Sequence, residues 1–249
     1  SLKIGKSEHW VKQYIETEWG YSLAGTPVVA TFNSHIHVAT KPLLFSPHLP
    51  LIAGFDPGLV GSALIFGQMD LDGRLTVLDE LVQANMGAER IISDRLKPLL
   101  RAKYRDADFI IAPDPAADAR SNNDEKTIVD TLRDKRKGGF MVRFPDMNNR
   151  LPGRIEAIEH FTTRLTRNGP ALQIAPHCKR LIRALQGGWR YPADRKDGIR
   201  DKPEKNAHSH AGDGFSYLCR YLHLGGSREA KRKERGFVPP RAVNSYVNR

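Results

Sequence analysis

Cysteine is scarce in this chain. Its 249 residues include only Cys178 and Cys219, too few for a disulfide framework and in keeping with a reducing compartment. Both read as core or surface thiols rather than metal ligands. No apolar run approaches the roughly 20 residues that a membrane-spanning helix needs, and the polar start SLKIGKSEHW is not a signal peptide. An initiator Met is also missing, so the chain is expected to be part of something longer. Acidic residues are outnumbered, 28 against 39 Lys and Arg, for a net charge of +11. That surplus implies a polyanionic partner, most plausibly nucleic acid. What remains, 40% hydrophobic and 27% charged, is a globular balance with length for one large or two small domains.

Two tempting motifs fail on spacing. Gly5-Lys6-Ser7 ends like a phosphate loop, but the upstream Gly and the strand before it have no room. Asp70 and Asp72 begin like a calcium loop, but the later ligands and the closing Glu are missing, so they read as turn residues. No internal repeat is visible.

Residues 1–48 read as a linker-like segment rather than a core, with a short strand at 27–32 and a Pro-rich stretch at 41–50. From Leu51 the pattern becomes regular. Leu51–Phe55, Ser62–Gln68 and Leu75–Val82 read as three consecutive antiparallel strands. A helix is expected over 88–104, a fourth strand over 109–112, a helix over 123–135 and a fifth strand over 140–144. A helix over 154–166, a strand over 171–175 and a helix over 178–186 follow. The Gly-, Pro- and charge-rich stretch 187–205 reads as an exposed loop. A last helix runs to Leu222, and a basic tail occupies 226–249. The implied fold is α/β, a central mixed sheet flanked by helices, with its domain at 49–225.

The chemistry is carried by carboxylates. Asp56 ends a fully apolar strand and is followed by Pro57-Gly58. Asp114 ends the fourth strand and is followed by Pro115. Strands one and four are neighbours in such a sheet, which puts the two acids side by side. Asp213 lies near the start of the last helix, where Phe215, Leu218, Cys219 and Leu222 form the packing stripe. Three grouped carboxylates repel one another unless cations intervene, and oxygen-only ligation suits Mg²⁺ or Mn²⁺. Two such ions can activate water and stabilise a leaving oxygen in phosphodiester cleavage. A zinc reading of His208, His210 and Asp213 fails, because the spacing is one residue off and Asp213 is followed by Gly214 rather than by a second His.

Four stretches in this order resemble the RNase H-like superfamily, and more closely the nuclease domain of phage terminase large subunits. They are PVVATFNSHIHVA (27–39), LPLIAGFDPGLVGSALIFGQ (49–68), FIIAPDPAADAR (109–120) and KNAHSHAGDGFSYLCRYL (205–222). The resemblance implies a metal-dependent endonuclease that cuts double-stranded viral DNA with little sequence preference during packaging, in the cytoplasm of the infected bacterial host. It implies two Mg²⁺ or Mn²⁺ ions on Asp56, Asp114 and Asp213. It also implies an ATPase domain elsewhere in the full-length chain, with small terminase subunit and portal as partners; no ATPase activity is expected from the sequence in hand. Asp118 either reaches the metal zone or caps the next helix, and Gly214 stands where Ala is usual. His210 and Lys205 are candidate supporting residues. Arg190, Arg195, Lys196, Arg200 and Lys202 are candidate DNA contacts. The rivals are a Holliday-junction resolvase of the RuvC type, which shares the D-P-G motif, and a DNA-binding packaging module without catalysis.

Overall fold

The computed structural model describes residues 25–58, 60–119, 127–145, 149–192 and 202–226. Six strands form one mixed sheet: β1 (Leu51–Asp56), β2 (Gly61–Met69), β3 (Leu75–Ala84), β4 (Phe109–Pro113), β5 (Met141–Val142) and β6 (Leu172–Ile174). Their order is β5-β4-β1-β2-β3-β6. The first three are antiparallel neighbours, and β4 lies parallel to β1 with Phe55 opposite Pro113. Asp70 makes the turn between β2 and β3, its carboxylate accepting the Arg74 N–H at 2.9 Å.

Side-chain parity divides the core. Leu51, Ala53 and Phe55 face one layer, whereas Ile52 faces the other, as the two-residue period of a strand requires. The first layer is covered by Ala88–Ile91, which continues through a π-helical stretch into α1 (Lys97–Lys103), and by α2 (Ile128–Arg133). The second is covered by α3 (Leu151–Thr162), α4 (Lys179–Arg183) and α5 (Ser209–Tyr221). Phe161, Leu181, Phe215 and Leu218 bury themselves here against Ile52, Ile65 and Ile110. Each such side chain contributes about 1.5–3 kcal/mol when fully withdrawn from water. Ile52 and Ile110 share this face, and the same parity carries Asp56 and Asp114 to it.

Three expectations change. The helix expected over 154–166 stops at Thr162, and Leu165–Thr166 instead pairs with Gly169–Pro170 in a small hairpin. That turn takes Gly169 at φ 109, a conformation that closes the hairpin and has no place in a helix. The helix expected over 123–135 is seen as Ile128–Arg133, begun by a capping box between Thr127 and Asp130; residues 123–126 lie outside the described residues. The fifth strand is Met141–Val142 rather than 140–144.

The stretch before β1 packs more closely than a free linker. Val28, Val29 and Phe32 are buried in the second layer, and the Val28 N–H donates to the Trp189 carbonyl at 3.0 Å. Thr26–Pro27 forms a two-residue ladder with Arg190–Tyr191, so the predicted strand at 27–32 is only this short bridge. His37 reaches the end of α3: its Nδ1 accepts the Asn33 N–H, and its Nε2 lies 3.0 Å from the Thr162 carbonyl. Apolar residues without a period gave no sign of this packing, because their burial depends on a distant helix end.

Candidate active site

Asp56, Asp114 and Asp213 stand at one end of the sheet on three adjoining elements: the end of β1, the residue after β4, and α5. Glycines set how closely these elements approach. A Cβ on Gly54 would fall 2.2 Å from the Gly214 carbonyl oxygen, and one on Gly214 would meet the Ala63 carbonyl at 3.0 Å. Backbone thus lies against backbone where α5 crosses β1. Gly214 is a packing residue here, whatever it costs in helix propensity. Asp213 is the fifth residue of α5, beyond the first turn, so the helix-start dipole does not account for it. In the turn that leads into the helix, Asn206 Oδ1 accepts the N–H groups of His208 and Ser209 at 2.8 and 3.1 Å.

Each carboxylate has its own protein partner. Asp56 is buried, and its Oδ2 lies 2.8 Å from His210 Nδ1. The imidazole sits flat over Gly61, where a Cβ would come within 2.4 Å of the ring. Burial raises the Asp56 pKa; the His210 hydrogen bond works against this, and the charge of nearby Asp213 adds to it. Asp213 is also buried. Its Oδ1 accepts from Arg154 Nη1 at 3.0 Å and its Oδ2 from Lys205 Nζ at 2.9 Å. Desolvation lowers the Lys205 pKa, but the hydrogen bond and charge of Asp213 outweigh it, and the net shift is upward.

Asp114 accepts from the Ala116 N–H at 2.9 Å and from Asn149 Nδ2 at 2.6 Å. Tyr217, one helix position below Ser216, interacts with both Asp114 and Asn149, and burial raises its pKa. The Arg154 guanidinium lies 4.7 Å from the centre of the Tyr217 ring. A chain of contacts therefore runs from Asp213 through Arg154 and Tyr217 to Asp114.

Among the described residues, no three His, Cys, Asp or Glu side chains lie close enough together to hold a metal ion. The donor chemistry nevertheless fits a divalent cation. Asp213 presents both oxygens to positive groups, which take the lone pairs that a cation would use. Lys205 has a side chain 76% exposed and can swing away, whereas Arg154, at 12%, is enclosed.

The remaining sequence candidates separate. Asp118 is exposed and accepts from Thr127 Oγ1 at 3.5 Å, at the start of α2. Arg190 is bonded to Glu204 at 3.1 Å. Lys202 is exposed, and Arg195, Lys196 and Arg200 lie outside the described residues. His208 turns away from Asp56 and packs against Gly188. Arg154, Tyr217 and Asn149 were missed from sequence. A cleft of about 640 Å³ opens beside Lys205 and His210, its other wall formed by Val60, Gly61 and the residues Val82, Gln83 and Ala84 of β3.

No protein-family model matches the sequence, and no curated protein does either. Solved structures do match in shape. A large terminase from a thermophilic bacteriophage superposes with a TM-score of 0.58 at 17% identity, over 88% of this chain and 50% of that one. The P22 large terminase nuclease domain gives 0.53 at 13% identity, over 77% of this chain and 89% of the other. The large terminase nuclease of thermophilic phage G20c with bound magnesium gives 0.52 at 14%, over 78% and 96%. The chain thus has the fold seen in these large terminase nuclease structures, and it spans about half the length of the first of these proteins.

Proposed function

We propose that this chain is the nuclease part of a phage large terminase, a metal-dependent endonuclease that cuts double-stranded DNA with little sequence preference during genome packaging. One observation carries the reading: on a terminase-nuclease fold, three acids from β1, β4 and α5 stand at the same sheet end, two of them buried. Buried acids of like charge are costly unless positive groups join them, a place that Arg154 and Lys205 hold at Asp213 and that a divalent cation would share.

In this reading Asp56, Asp114 and Asp213 would hold the Mg²⁺ or Mn²⁺ ions, two of them in the mechanism proposed. Once bound, the ions supply Lewis acidity for the attacking water and for the leaving 3′-oxygen. The chain's own groups prepare the site. Lys205 releases an oxygen of Asp213 and becomes free to meet a phosphate oxygen. Arg154 stays enclosed and fixes the other oxygen. His210 fixes the orientation of the Asp56 carboxylate, and Asn149 and Tyr217 orient Asp114. Asp118 serves the start of α2 rather than the ions.

The domain assignment is likewise proposed: a nuclease domain over 49–225, preceded by a segment that follows an ATPase domain, with residues 26–39 taken into the nuclease core. The tail 226–249 contacts DNA or packaging proteins, among which the small terminase subunit and portal are the expected partners. The setting is the cytoplasm of an infected bacterium, and ATP hydrolysis belongs to the companion domain. Plasmid incubated with Mn²⁺ tests the core claim. The wild type should nick and linearise it, and Asp213→Asn should not, while still retarding the DNA in a gel. Intact plasmid with the wild type across Mg²⁺ and Mn²⁺ would refute the nuclease reading.

A further inference from the structure

Helix α4 carries two arginine guanidiniums that form no ion pair among the described residues. Its start is fixed by Glu80 of β3, whose carboxylate accepts the Arg180 and Leu181 N–H groups at 2.9 and 2.8 Å. With the backbone held there, the Arg180 and Arg183 side chains are exposed. Among the described residues neither guanidinium forms an ion pair, although Arg180 lies within electrostatic reach of Glu80. The other arginines beside the site are committed, Arg154 to Asp213 and Arg190 to Glu204.

Position gives this charge a use. Arg180 lines the same cleft as Lys205 and His210, the two residues that grip Asp213 and Asp56. Arg183 follows one turn later, outside the cleft lining, and its charge is felt at His208. That imidazole is held below its ordinary pKa by burial first, and then by the charges of Arg180, Arg183 and Arg190 together. The cleft lining has no aromatic ring beyond the His210 imidazole, so nothing there stacks on bases. Unpaired guanidiniums on a rigid helix, opening toward buried acids, suit a backbone phosphate.

We propose that Arg180 on the wall of this cleft, with Arg183 one turn beyond it on the same helix, tracks backbone phosphates and holds duplex DNA on the Lys205 side of the three carboxylates. The inference rests on the nuclease reading for its ligand. It adds the helix before the 187–205 stretch to the candidate contacts.

Duplex binding by Arg180→Gln/Arg183→Gln, without metal and across a salt series, provides the test. Arg95→Gln/Arg101→Gln, exposed on the opposite layer, removes the same charge and serves as the control. The α4 variant should bind a short blunt duplex roughly tenfold or more weakly, and its log K against log salt slope should fall by about 1.8, two lost phosphate contacts. The control should stay within about twofold of wild type. Arg180→Lys/Arg183→Lys should keep most of the salt slope, which separates lost charge from a disturbed helix. Matching affinities for the α4 variant and the control would overturn the inference while leaving the nuclease reading intact. Wild-type protein that binds duplex through α4 but never cuts would do the reverse, and wild type that binds no duplex would overturn both.

Discussion

Arg154 Nη1 lies 3.0 Å from Asp213 Oδ1, joining α3 to α5 by an ion pair in which both side chains are nearly withdrawn from water. The same guanidinium bonds Ser216 Oγ and stacks on Tyr217. It acts as the rigid half of a two-cation grip on Asp213, with Lys205 as the loose half.

Removing one partner of a buried pair strands the other, at a cost of about 3–5 kcal/mol. Arg154→Ala should fall near the low end, because Lys205 remains. Arg154→Lys should recover part of the loss but not the stacking. Urea unfolding measures both. A loss of about 1 kcal/mol or less would mean that the pair is screened as surface pairs are.

Asp56 should be stabilising to lose. With its pKa raised, the folded state binds more protons than the unfolded state between the ordinary aspartate value and the raised one. Stability therefore falls as pH rises through that window, and the deficit is complete at neutral pH. Asp56→Asn should melt a few degrees higher at pH 7, lose that advantage in acid and cleave nothing. A lower melting temperature at neutral pH would contradict the burial argument.

In the proposed reading Lys205 would compete with a divalent ion for Asp213. Lys205→Ala should therefore tighten Mn²⁺ binding by roughly tenfold, about 1.4 kcal/mol. Titration calorimetry in the absence of DNA reads this directly, and EDTA should reverse the accompanying thermal shift. Weaker Mn²⁺ binding in the variant would exclude the competition.

His37 adds a pH dependence remote from the carboxylates. Burial lowers its pKa, partly offset by the Thr162 hydrogen bond. The Asn33 N–H already occupies Nδ1, so the ring is neutral with its proton on Nε2. Its contribution is complete above the unfolded value of about 6.5 and declines as pH falls below that toward the lowered folded value. His37→Ala should cost about 2 kcal/mol at pH 8, since it abandons one buried and one half-buried partner, and should flatten the stability curve below about pH 6.5. An unchanged curve would remove His37 as its source.

Gly54 tolerates no side chain. Gly54→Ala should cost about 3 kcal/mol or more, because the clash is with α5 backbone that cannot rotate aside. Denaturant midpoints give the measure, and a near-neutral result would mean that α5 can shift on β1.

The central strands and α5 were legible because local chemistry and tertiary position agree there. β1 is apolar on both faces, the β2–β3 turn is spelled out by Asp70 to Gly73, and the α5 stripe repeats at helical spacing. The three acids could be found because each interrupts or ends such a pattern. Arg154 could not, because it occupies an ordinary polar position on α3, and its role comes from how α3 crosses α5. Tyr217 read as part of an apolar helix. Arg180 looked like any solvated arginine until the cleft beside it was known. Val28, Val29 and Phe32 follow no period, so the burial of that segment was invisible in the sequence.

The short ladder between Thr26–Pro27 and Arg190–Tyr191 gives the molecule a mechanical line. The Arg190 carbonyl accepts the Glu204 N–H at 2.9 Å, and the next residue, Lys205, grips Asp213. The segment that enters the fold at Thr26 is thus joined, through a ladder and one further hydrogen bond, to the residue beside the looser of the two cations on that carboxylate.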